Sequence, residues 1–290
     1  MKTRPKTIRT AERIIQTVEV TEGAGVTVHR SIGTPALRNL DPFLMLDHFG
    51  SDDPDAYIAG FPDHPHRGFN TFTYMLDGHM QHQDSMGNKG DLNSGGAQWM
   101  KAGSGVIHSE MPQQTEGVMA GFQLWINLPA NAKMSEPNYQ EYSSTSFPVV
   151  QEKDSQVKVL LGDYKGTKGP IEDPYTSVSY FDVALNSDTD FAYATEKDLT
   201  SFIYLFEGEA EIEGKTIPLH SFVVLSKGDQ VKVTAGANGA RFILVAGQPI
   251  GEPIAQYGPF VMNTQEEIHQ AMADYRDGKL VQQKAAMIGS

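Results

Sequence analysis

Residues 61–78 read FPDHPHRGFNTFTYMLDG, a run rich in aromatic residues and threonine that ends in a turn at Asp77-Gly78. Similar short runs recur in the first half of the chain, such as PFLMLDHFG at 42–50 and GFQLWINLP at 121–129. Their length, composition and turn punctuation favour strands over helices. Strands this short and this frequent indicate a sandwich or a barrel, so the first half is expected to be all-β.

The strand pattern resumes after a polar stretch, PANAKMSEPNYQEYSSTSFP at 129–148, which has no sustained period and is interpreted as a connection. Beyond it lie VKVLLGDY at 157–164 and SFIYLFEGEAEIEGKTI at 201–217, which again predict strands joined by glycine turns. A chain of 290 residues exceeds the usual size of a single core. We therefore expect two β domains, residues 1–140 and 141–290.

One segment near the carboxyl end, TQEEIHQAMADYRDGKL at 264–280, predicts a helix. Thr264 and Glu267 have the spacing of a capping box, and Gly278 is suited to end the helix. An apolar stripe follows the helical period and is expected to pack against a sheet; its members are Ile268, Ala271, Met272 and Tyr275.

The overall charge excludes some partners. With 36 acidic against 23 basic residues, the net charge of -13 repels phosphate backbones and anionic lipid, so direct nucleic-acid or membrane binding is not expected. The chain has no cysteine, which excludes disulfides, thiolate ligands and cysteine nucleophiles. Residues 1–20 lack the apolar run of a signal peptide and no segment is long enough to span a membrane, so the expected location is cytoplasmic.

Two short patterns indicate a metal site. Side chains alternate between the faces of an extended segment, so His64 and His66 point the same way, as do His108 and Glu110. Each pair can chelate a cation. Pro65 restricts the backbone of the first pair and implies a sheet edge or a strand start, where its missing N–H is harmless. If a barrel brings the strands together, three imidazoles and one carboxylate converge.

The ligand types limit the metal. Imidazole suits Zn, Cu, Fe and Ni, and a carboxylate adds Fe(II) and Mn(II). Four protein ligands on an octahedral ion leave two positions open for a substrate oxygen, water or dioxygen. A lone His-x-His is often a surface or core pair, and a His-x-Glu alone indicates little, but the two pairs together, flanked by glycines within one β domain, favour a site. The other histidines are interpreted as packing, turn or surface residues: His29, His48, His79, His82, His220 and His269.

Other catalytic patterns do not fit. GSG at 103–105 lacks the strand-to-helix context of a nucleophile elbow, and GAGV at 23–26 lacks the GxGxxG spacing of a dinucleotide loop. When the halves are aligned by pairing Gly78 with Gly208, His64 and His66 fall opposite Ala194 and Glu196. The second half therefore has no equivalent cluster at these positions.

Four separated blocks give the chain its resemblance to a known family: FPDHPHRGFNTFTYMLDG, DSMGNKG, QWMKAGSGVIHSEMP and YGPFVMNTQEEIHQAMADYRDGKL. The sequence resembles the pirins of the cupin superfamily over essentially its whole length. The resemblance implies two cupin β-barrels, each a double-stranded β-helix, packed face to face, with one metal ion in the amino-terminal barrel. By position the implied ligands are His64, His66, His108 and Glu110. The implied ion is Fe(II), with Mn, Ni, Cu and Zn as alternatives.

Two positions depart from the family pattern, which usually has glutamate at the position of Asn70 and arginine at that of Ser104. Asn70 stands where the general cupin motif places a glutamate ligand, so the ion is expected to depend on Glu110. An amide oxygen can still coordinate an ion or orient a water. Ser104 is expected to remove a positive charge near the rim of the site and so to weaken binding of anionic substrates.

The resemblance supports two functions of different classes. Some pirins resemble quercetin 2,3-dioxygenases, which open a flavonol with dioxygen and release carbon monoxide. In this chain the metal would acidify a flavonol hydroxyl and Glu110 would accept its proton. Nearby aromatic residues are candidates for apolar walls of the site, or equally for core packing: Phe69, Phe72, Tyr74 and Trp99.

The alternative function is regulatory. Other pirins resemble iron-binding, redox-sensitive regulators that bind a protein partner, either a transcription factor or a metabolic enzyme. The acidic composition favours a protein partner over DNA itself. A zinc-bound structural domain without turnover is a third hypothesis.

Overall fold

The computed structural model describes residues 6–289, and in this range the chain is mostly strand. The strands of the first half are β1 (Ala11–Gln16), β2 (Val18–Glu22), β3 (Val26–Ile32), β4 (Phe43–Ser51), β5 (Phe61–His66), β6 (Phe69–Asp77), β7 (His79–Asp84), β8 (Lys89–Asn93), β9 (Ala97–Lys101), β10 (Val106–Pro112), β11 (Met119–Asn127) and β12 (Asn138–Tyr142). Those of the second half are β13 (Val149–Gln151), β14 (Ser155–Leu161), β15 (Asp163–Tyr164), β16 (Thr167–Lys168), β17 (Ser179–Leu185), β18 (Asp190–Ala194), β19 (Thr200–Ile212), β20 (Lys215–Ile217), β21 (Ser221–Leu225), β22 (Gln230–Gly247), β23 (Ala255–Tyr257), β24 (Phe260–Met262) and β25 (Ala286–Ile288).

Helical structure is confined to a few segments of residues 6–289. Three single turns of 3-10 helix occur at Pro54–Ala56, Ala130–Ala132 and Ser144–Ser146, and the α-helix is α1 (Gln265–Arg276). The predicted all-β class with a short helix near the carboxyl end is confirmed. Within the described residues, no helix combines the length and apolar character needed to cross a bilayer.

The chain forms two compact units, each assembled from two separate parts of the sequence. The first contains the initial 17 residues, of which 6–17 are described, and Phe147–Pro249. The second, which we call the histidine unit, contains Val18–Ser146 and the segment from Ile250 onward. This differs from the expected ranges 1–140 and 141–290, whose residues 1–5 and 290 lie outside the described part.

Long-range pairing explains the difference. At the amino end, β1 pairs with β21, 205 to 214 residues away in sequence, from Ala11↔Leu225 to Gln16↔Ser221. At the carboxyl end, β25 pairs with β12 in parallel, and Arg67 bridges to Phe260 at the start of β24. The local sequence pattern predicts where strands occur. It does not predict which distant strand each of them pairs with.

The histidine unit contains two main sheets. The larger has the order β2-β3-β4-β11-β6-β9-β12-β25, and the smaller has the order β5-β10-β7-β8. Strand β12 lies inside the polar stretch that the sequence suggested was a connection, and it pairs with β9 from Asn138↔Lys101 to Tyr142↔Ala97. Polar residues suit this strand because it lies near the margin of its sheet, where side chains are only partly buried.

The other unit is built on one nine-stranded sheet with the path β1-β21-β19-β22-β17-β14-β13, to which β18 and β20 add at the sides. Its inward residues form one large apolar core, including Val159, Phe181, Leu205, Val223 and Phe242. Buried and exposed residues alternate along the first part of β22, which faces both the core and water, whereas β17 is buried at most of its positions.

Helix α1 begins as the sequence predicts. The Glu267 amide donates to Thr264 Oγ1 at 3.2 Å and the Thr264 amide donates to Glu267 Oε2 at 3.0 Å, which is the capping box. Its apolar stripe packs on the β23–β24 hairpin, but only Ile268 and Ala271 are buried. Met272 and Tyr275 are exposed, because a two-stranded hairpin is too narrow to cover the full stripe.

Candidate metal centre

The two histidine patterns lie on neighbouring strands. β5 pairs with β10 in the antiparallel sense, with His64 opposite His108 and His66 opposite Val106. β5 is the edge strand of its sheet, so the missing N–H of Pro65 costs no hydrogen bond there, as predicted. The sheet therefore brings together residues that are 44 positions apart in sequence, from His64 to His108.

A bulge lies beside the site, on β5. Between the pairs His108↔His64 and Glu110↔Phe61, Pro62 and Asp63 together oppose the single residue Ser109. The register of β10 with β7 is continuous through the same residues. The regular pleat of β10 thus keeps His108 and Glu110 on one face, as the sequence predicts.

Three of the four predicted ligands form a cluster. The donor atoms of His64, His66 and His108 lie within 4.8 Å of one another. An ion binds imidazole nitrogen at about 2.0–2.1 Å, so small side-chain rotations bring these nitrogens around a common ion. No described cysteine, aspartate or glutamate completes this group, and the carboxylate of Glu110 lies outside it.

The protonation states suit a metal. His64 Nδ1 donates to the Pro62 carbonyl oxygen at 2.8 Å, which leaves the lone pair on Nε2. Burial lowers the pKa of both His66 and His108 well below the ordinary value, and neighbouring histidines lower it further. Both rings are therefore neutral at pH 7, the form that binds metals. His108 Nε2 is buried and finds no hydrogen-bond partner among the described residues.

His82 is a functional candidate that the sequence did not single out. It was interpreted as a turn residue, but it lies buried in β7, and its Nδ1 is 3.0 Å from His108 Nδ1. Tyr139 packs against the His82 ring and donates its hydroxyl to Asp84 Oδ2 at 3.0 Å. The alternation of β7, which places His82 and Asp84 on one face, was the available signal.

Asp84 also explains the block DSMGNKG. Its Oδ1 accepts from the amides of Met86 and Asn88 at 2.9 Å each, and its Oδ2 accepts from Asn88 Nδ2 at 2.7 Å. These bonds fold the β7–β8 turn around the carboxylate. The block therefore supports the site through β7 rather than supplying a ligand.

Glu110 is held by two neutral donors. Its Oε2 accepts from Gln123 Nε2 at 2.9 Å and its Oε1 accepts from Thr73 Oγ1 at 3.3 Å. The side chain is buried and lines the same cavity as His64 and His66. Gln123 and Thr73 thus fix the orientation of the carboxylate beside the histidine cluster.

The cavity above the cluster has a volume of about 550 Å³, which suits a small organic molecule. Its aromatic walls are Phe49, Phe61 and Trp125. The aromatic residues proposed from the sequence are core residues instead, since they are buried and none lines the cavity: Phe69, Phe72, Tyr74 and Trp99. Phe69 still supports the site, because its ring contacts that of His66 edge-on at a centroid distance of 5.2 Å.

The two departures from the family pattern are both buried. Ser104 is 1% exposed and does not line the cavity, so its side chain lies in the interior rather than at the rim. Its carbonyl oxygen accepts from Arg67 Nε at 2.6 Å, inside the unit. Asn70 is also 1% exposed, and neither its Oδ1 nor its Nδ2 has a hydrogen-bond partner among the described residues.

Arg67 anchors the site to the carboxyl-terminal segment. Its Nη1 forms an ion pair with Asp274 of α1 at 2.6 Å, and its Nη2 donates to the Leu280 carbonyl oxygen at 3.2 Å. The backbone of Arg67 bonds to that of Pro259 and Val261 in the β23–β24 hairpin. Gln256, Gly258 and Pro259 of this hairpin then line the cavity, so the distant segment supplies one wall.

Comparison with known proteins places the chain in a family. Residues 25–126 match the family model Pirin, and residues 180–281 match the pirin C-terminal cupin domain. A pirin-like protein of Caulobacter vibrioides is 46% identical over 274 residues, 94% of this chain and 99% of that protein. A Pseudomonas aeruginosa protein provisionally named a quercetin 2,3-dioxygenase is 45% identical over 267 residues, 89% of this chain and 93% of that protein.

Comparison with solved structures agrees with the sequence comparison. A crystal structure of quercetin 2,3-dioxygenase from Acinetobacter baumannii superposes with a TM-score of 0.88 at 29% identity, covering 95% of this chain and 99% of that one. Sequence and structure agree over almost the full length. The chain belongs to the pirin family, and its two units are domains of the cupin type.

Proposed function

We propose that this protein is a metal-dependent dioxygenase that cleaves a flavonol with dioxygen, as a quercetin 2,3-dioxygenase does. The observation that carries the proposal is the cluster of His64, His66 and His108 beside a cavity of about 550 Å³. Relatives that carry the quercetin dioxygenase name support it. The proposed ligands are these three histidines and Glu110, and the proposed ion is Fe(II), with Mn, Ni, Cu or Zn as alternatives.

When bound, the metal would supply a Lewis acid that holds the flavonol oxygens and lowers the pKa of the 3-hydroxyl group. The chain itself would handle the proton. Glu110 lies in the cavity and is the proposed base that accepts it. The hydrogen bonds that Gln123 and Thr73 donate to the carboxylate would keep it in place to accept the proton.

The apolar walls have a second role. Phe49, Phe61 and Trp125 would position the flat substrate and exclude water from it. Exclusion of water strengthens the electrostatic interactions within the cavity and protects the deprotonated flavonol from reprotonation by solvent. In the complete reaction the carbon atom at position 3 leaves as carbon monoxide, and both oxygen atoms of dioxygen remain in the ester product.

The direct test uses protein that has been stripped of metal and reloaded separately with Fe(II), Mn(II), Ni(II), Cu(II) or Zn(II). Loss of quercetin, uptake of dioxygen and release of carbon monoxide are measured together. We expect equal amounts of all three with at least one ion. If no loaded form exceeds the same concentration of free metal, the proposal is wrong.

Two variants separate the site from the rest of the protein. His108→Ala is expected to lose both metal and turnover, because it removes one of the three proposed histidine ligands. His269→Ala, on the exposed side of α1, is the control and should retain both. The regulatory alternative stays a prediction from the sequence, and it would be favoured by partner capture that depends on His108 without any turnover.

A further inference from the structure

A row of polar side chains crosses the sheet that lines the cavity. Arg30 of β3 is paired with Asp47 of β4, Asp47 with Gln123 of β11, and Gln123 with Thr73 of β6. All four residues line the cavity. Adjacent strands lie about 4.8 Å apart, so this row is about 14 Å long. It begins at Thr73 and Gln123, which hold Glu110, and it ends at Arg30.

The far end of the row is a preorganised ion cluster. Arg30 Nε donates to Asp47 Oδ1 at 2.8 Å, and Arg30 Nη2 donates to Asp47 Oδ2 at 2.6 Å. The same Nη2 lies 2.7 Å from Glu22 Oε1. These contacts fix the guanidinium plane and leave Nη1 outside them. The Arg30 side chain is 16% exposed and lines the cavity.

The charge of this cluster selects among ligands. Two carboxylates surround one guanidinium, so the cluster of Arg30, Asp47 and Glu22 has an excess of one negative charge when ionised. A carboxylate or phosphate ligand would be repelled. A neutral hydroxyl can instead donate to a carboxylate oxygen while a neighbouring hydroxyl accepts from Nη1.

The surroundings suit an aromatic ring. Val28 lies two residues before Arg30, and Met45 and Phe49 lie two residues on either side of Asp47, so they share the cavity face of β3 and β4. An apolar surface with a donor and acceptors at one end is complementary to a ring that carries two adjacent hydroxyl groups.

We propose that Arg30, Asp47 and Glu22 form the subsite for a vicinal dihydroxyphenyl ring, in a substrate whose other oxygens reach the histidine cluster. The proposal rests on the proposed function and names the determinant of its substrate preference. Arg30 is thus a specificity-determining residue at the opposite end of the polar row from Glu110. The hydroxyl groups on the fused benzene ring of quercetin, at positions 5 and 7, are not adjacent, so its pendant ring is the one that fits.

The test compares three flavonols that share the fused ring. Quercetin has two adjacent hydroxyls on the pendant ring, kaempferol has one, and galangin has none. Dissociation constants are measured by calorimetry under nitrogen on the metal-loaded protein. We expect quercetin to bind about tenfold more tightly than galangin, with kaempferol between them. In Arg30→Met we expect this ratio to fall to about two or less.

Two further variants keep the test decisive. Glu22→Gln removes a half-exposed carboxylate without emptying a buried position, and it should reduce the ratio about threefold. Arg241→Met is the matched control, because Arg241 has the same paired contacts with Asp182 and Glu207 but lies in the other unit. It should leave the ratio unchanged.

Failure of the subsite and failure of the function give different results. If galangin and quercetin bind equally, or if Arg30→Met and Glu22→Gln both keep the full ratio, the subsite is wrong even when flavonols are turned over. Turnover of galangin, which lacks pendant hydroxyls, tests the function alone. If none of the three flavonols binds, both proposals are overturned.

Discussion

His82 Nδ1 lies 3.0 Å from His108 Nδ1, and both side chains are buried. One of the two nitrogens must carry the proton for this to be a hydrogen bond. If His108 binds a metal through Nε2, its Nδ1 carries the proton and donates to His82. A buried acceptor of this kind orients a ligand imidazole and increases its basicity. His82 is therefore expected to position His108 without binding the ion itself.

The first prediction concerns metal affinity. His82→Phe removes the acceptor while keeping a buried ring, so we expect affinity for Fe(II) or Zn(II) to fall about 10–100-fold. Competition with a chelator of known affinity measures this change. His79→Phe is the control, because His79 is on the same strand but contacts Asp91 at the surface. Equal affinities for the His82 variant and the wild type would contradict the positioning role.

The second prediction concerns acid stability without metal. Burial lowers the pKa of His82 to about 4, with a smaller lowering from His64 and an opposing effect of Asp84. Between pH 6.5 and about 4 the unfolded chain therefore binds a proton more readily than the folded one, and acidification favours unfolding. At pH 5 this one residue accounts for about 2 kcal/mol of lost stability relative to pH 8.

Urea unfolding of metal-free protein at pH 8 and pH 5 checks this value. In His82→Gln the loss between the two pH values should be smaller by about that amount. His66 and His108 remain in the variant, and their pKa values are lowered in the same direction, so part of the acid sensitivity persists. An unchanged loss in the variant would show that His82 is not buried in its neutral form.

The third prediction concerns Lys133, a buried lysine in the histidine unit. Its Nζ donates to three oxygens: Asn127 Oδ1 at 2.6 Å, Gly68 O at 2.8 Å and Val261 O at 3.0 Å. Lys133→Met would leave these acceptors unpaired and should lower the free energy of unfolding by about 2–4 kcal/mol. Lys227→Met, at an exposed position, should change it by less than about 0.5 kcal/mol. Urea unfolding curves of both variants measure these changes, provided that the dependence of the free energy of unfolding on urea concentration is the same as in the wild type.

The fourth prediction uses two glycines with nearly the same backbone angle. Gly68 has φ +89° and Gly87 has φ +91°. A Cβ atom at Gly68 would lie 2.0 Å from the Val261 carbonyl oxygen, whereas at Gly87 it would meet nothing within 4 Å. Gly87→Ala should cost about 1–2 kcal/mol from the backbone alone. Gly68→Ala should cost on the order of 3–5 kcal/mol, since it also separates the hairpin from the histidine motif.

Thermal or urea unfolding of both glycine variants gives this comparison. Equal losses would mean that the close approach of Val261 to Gly68 does not contribute to stability. In addition, Gly68→Ala should weaken metal binding, because Gly68 lies two residues after the proposed ligand His66. Gly87→Ala should leave metal binding unchanged.

Local chemistry allowed much of the site to be predicted. The period of two along a strand predicted that His64 points the same way as His66, and His108 the same way as Glu110. The missing N–H of Pro65 indicated a sheet edge or a strand start, and β5 is an edge strand. The capping box of α1 could also be predicted, because Thr264 and Glu267 are only three residues apart. These features depend on neighbours within a few positions, and the sequence contains all of that information.

The sequence did not predict which residues are neighbours on adjacent strands. Arg30 pairs with Asp47, Asp47 with Gln123, and Gln123 with Thr73 only because β3, β4, β11 and β6 lie side by side in that order and register. The aromatic walls of the cavity depend on the same strand order and register. Trp125 lines the cavity, whereas Trp99, which was a candidate wall residue from the sequence, is in the core. A one-residue change of register would exchange these faces.

The sequence by itself therefore determined most of the strands, the helix start, the acidic charge and the types of proposed metal ligand, since each depends on residue chemistry and short spacing. Only the tertiary structure decided which residues surround the cluster and where the two units divide. The physical reason is that strand pairing and side-chain contacts join residues far apart in the chain, such as the strand pair Ala11 with Leu225 and the ion pair of Arg67 with Asp274. Those contacts form when distant segments bury their apolar faces together.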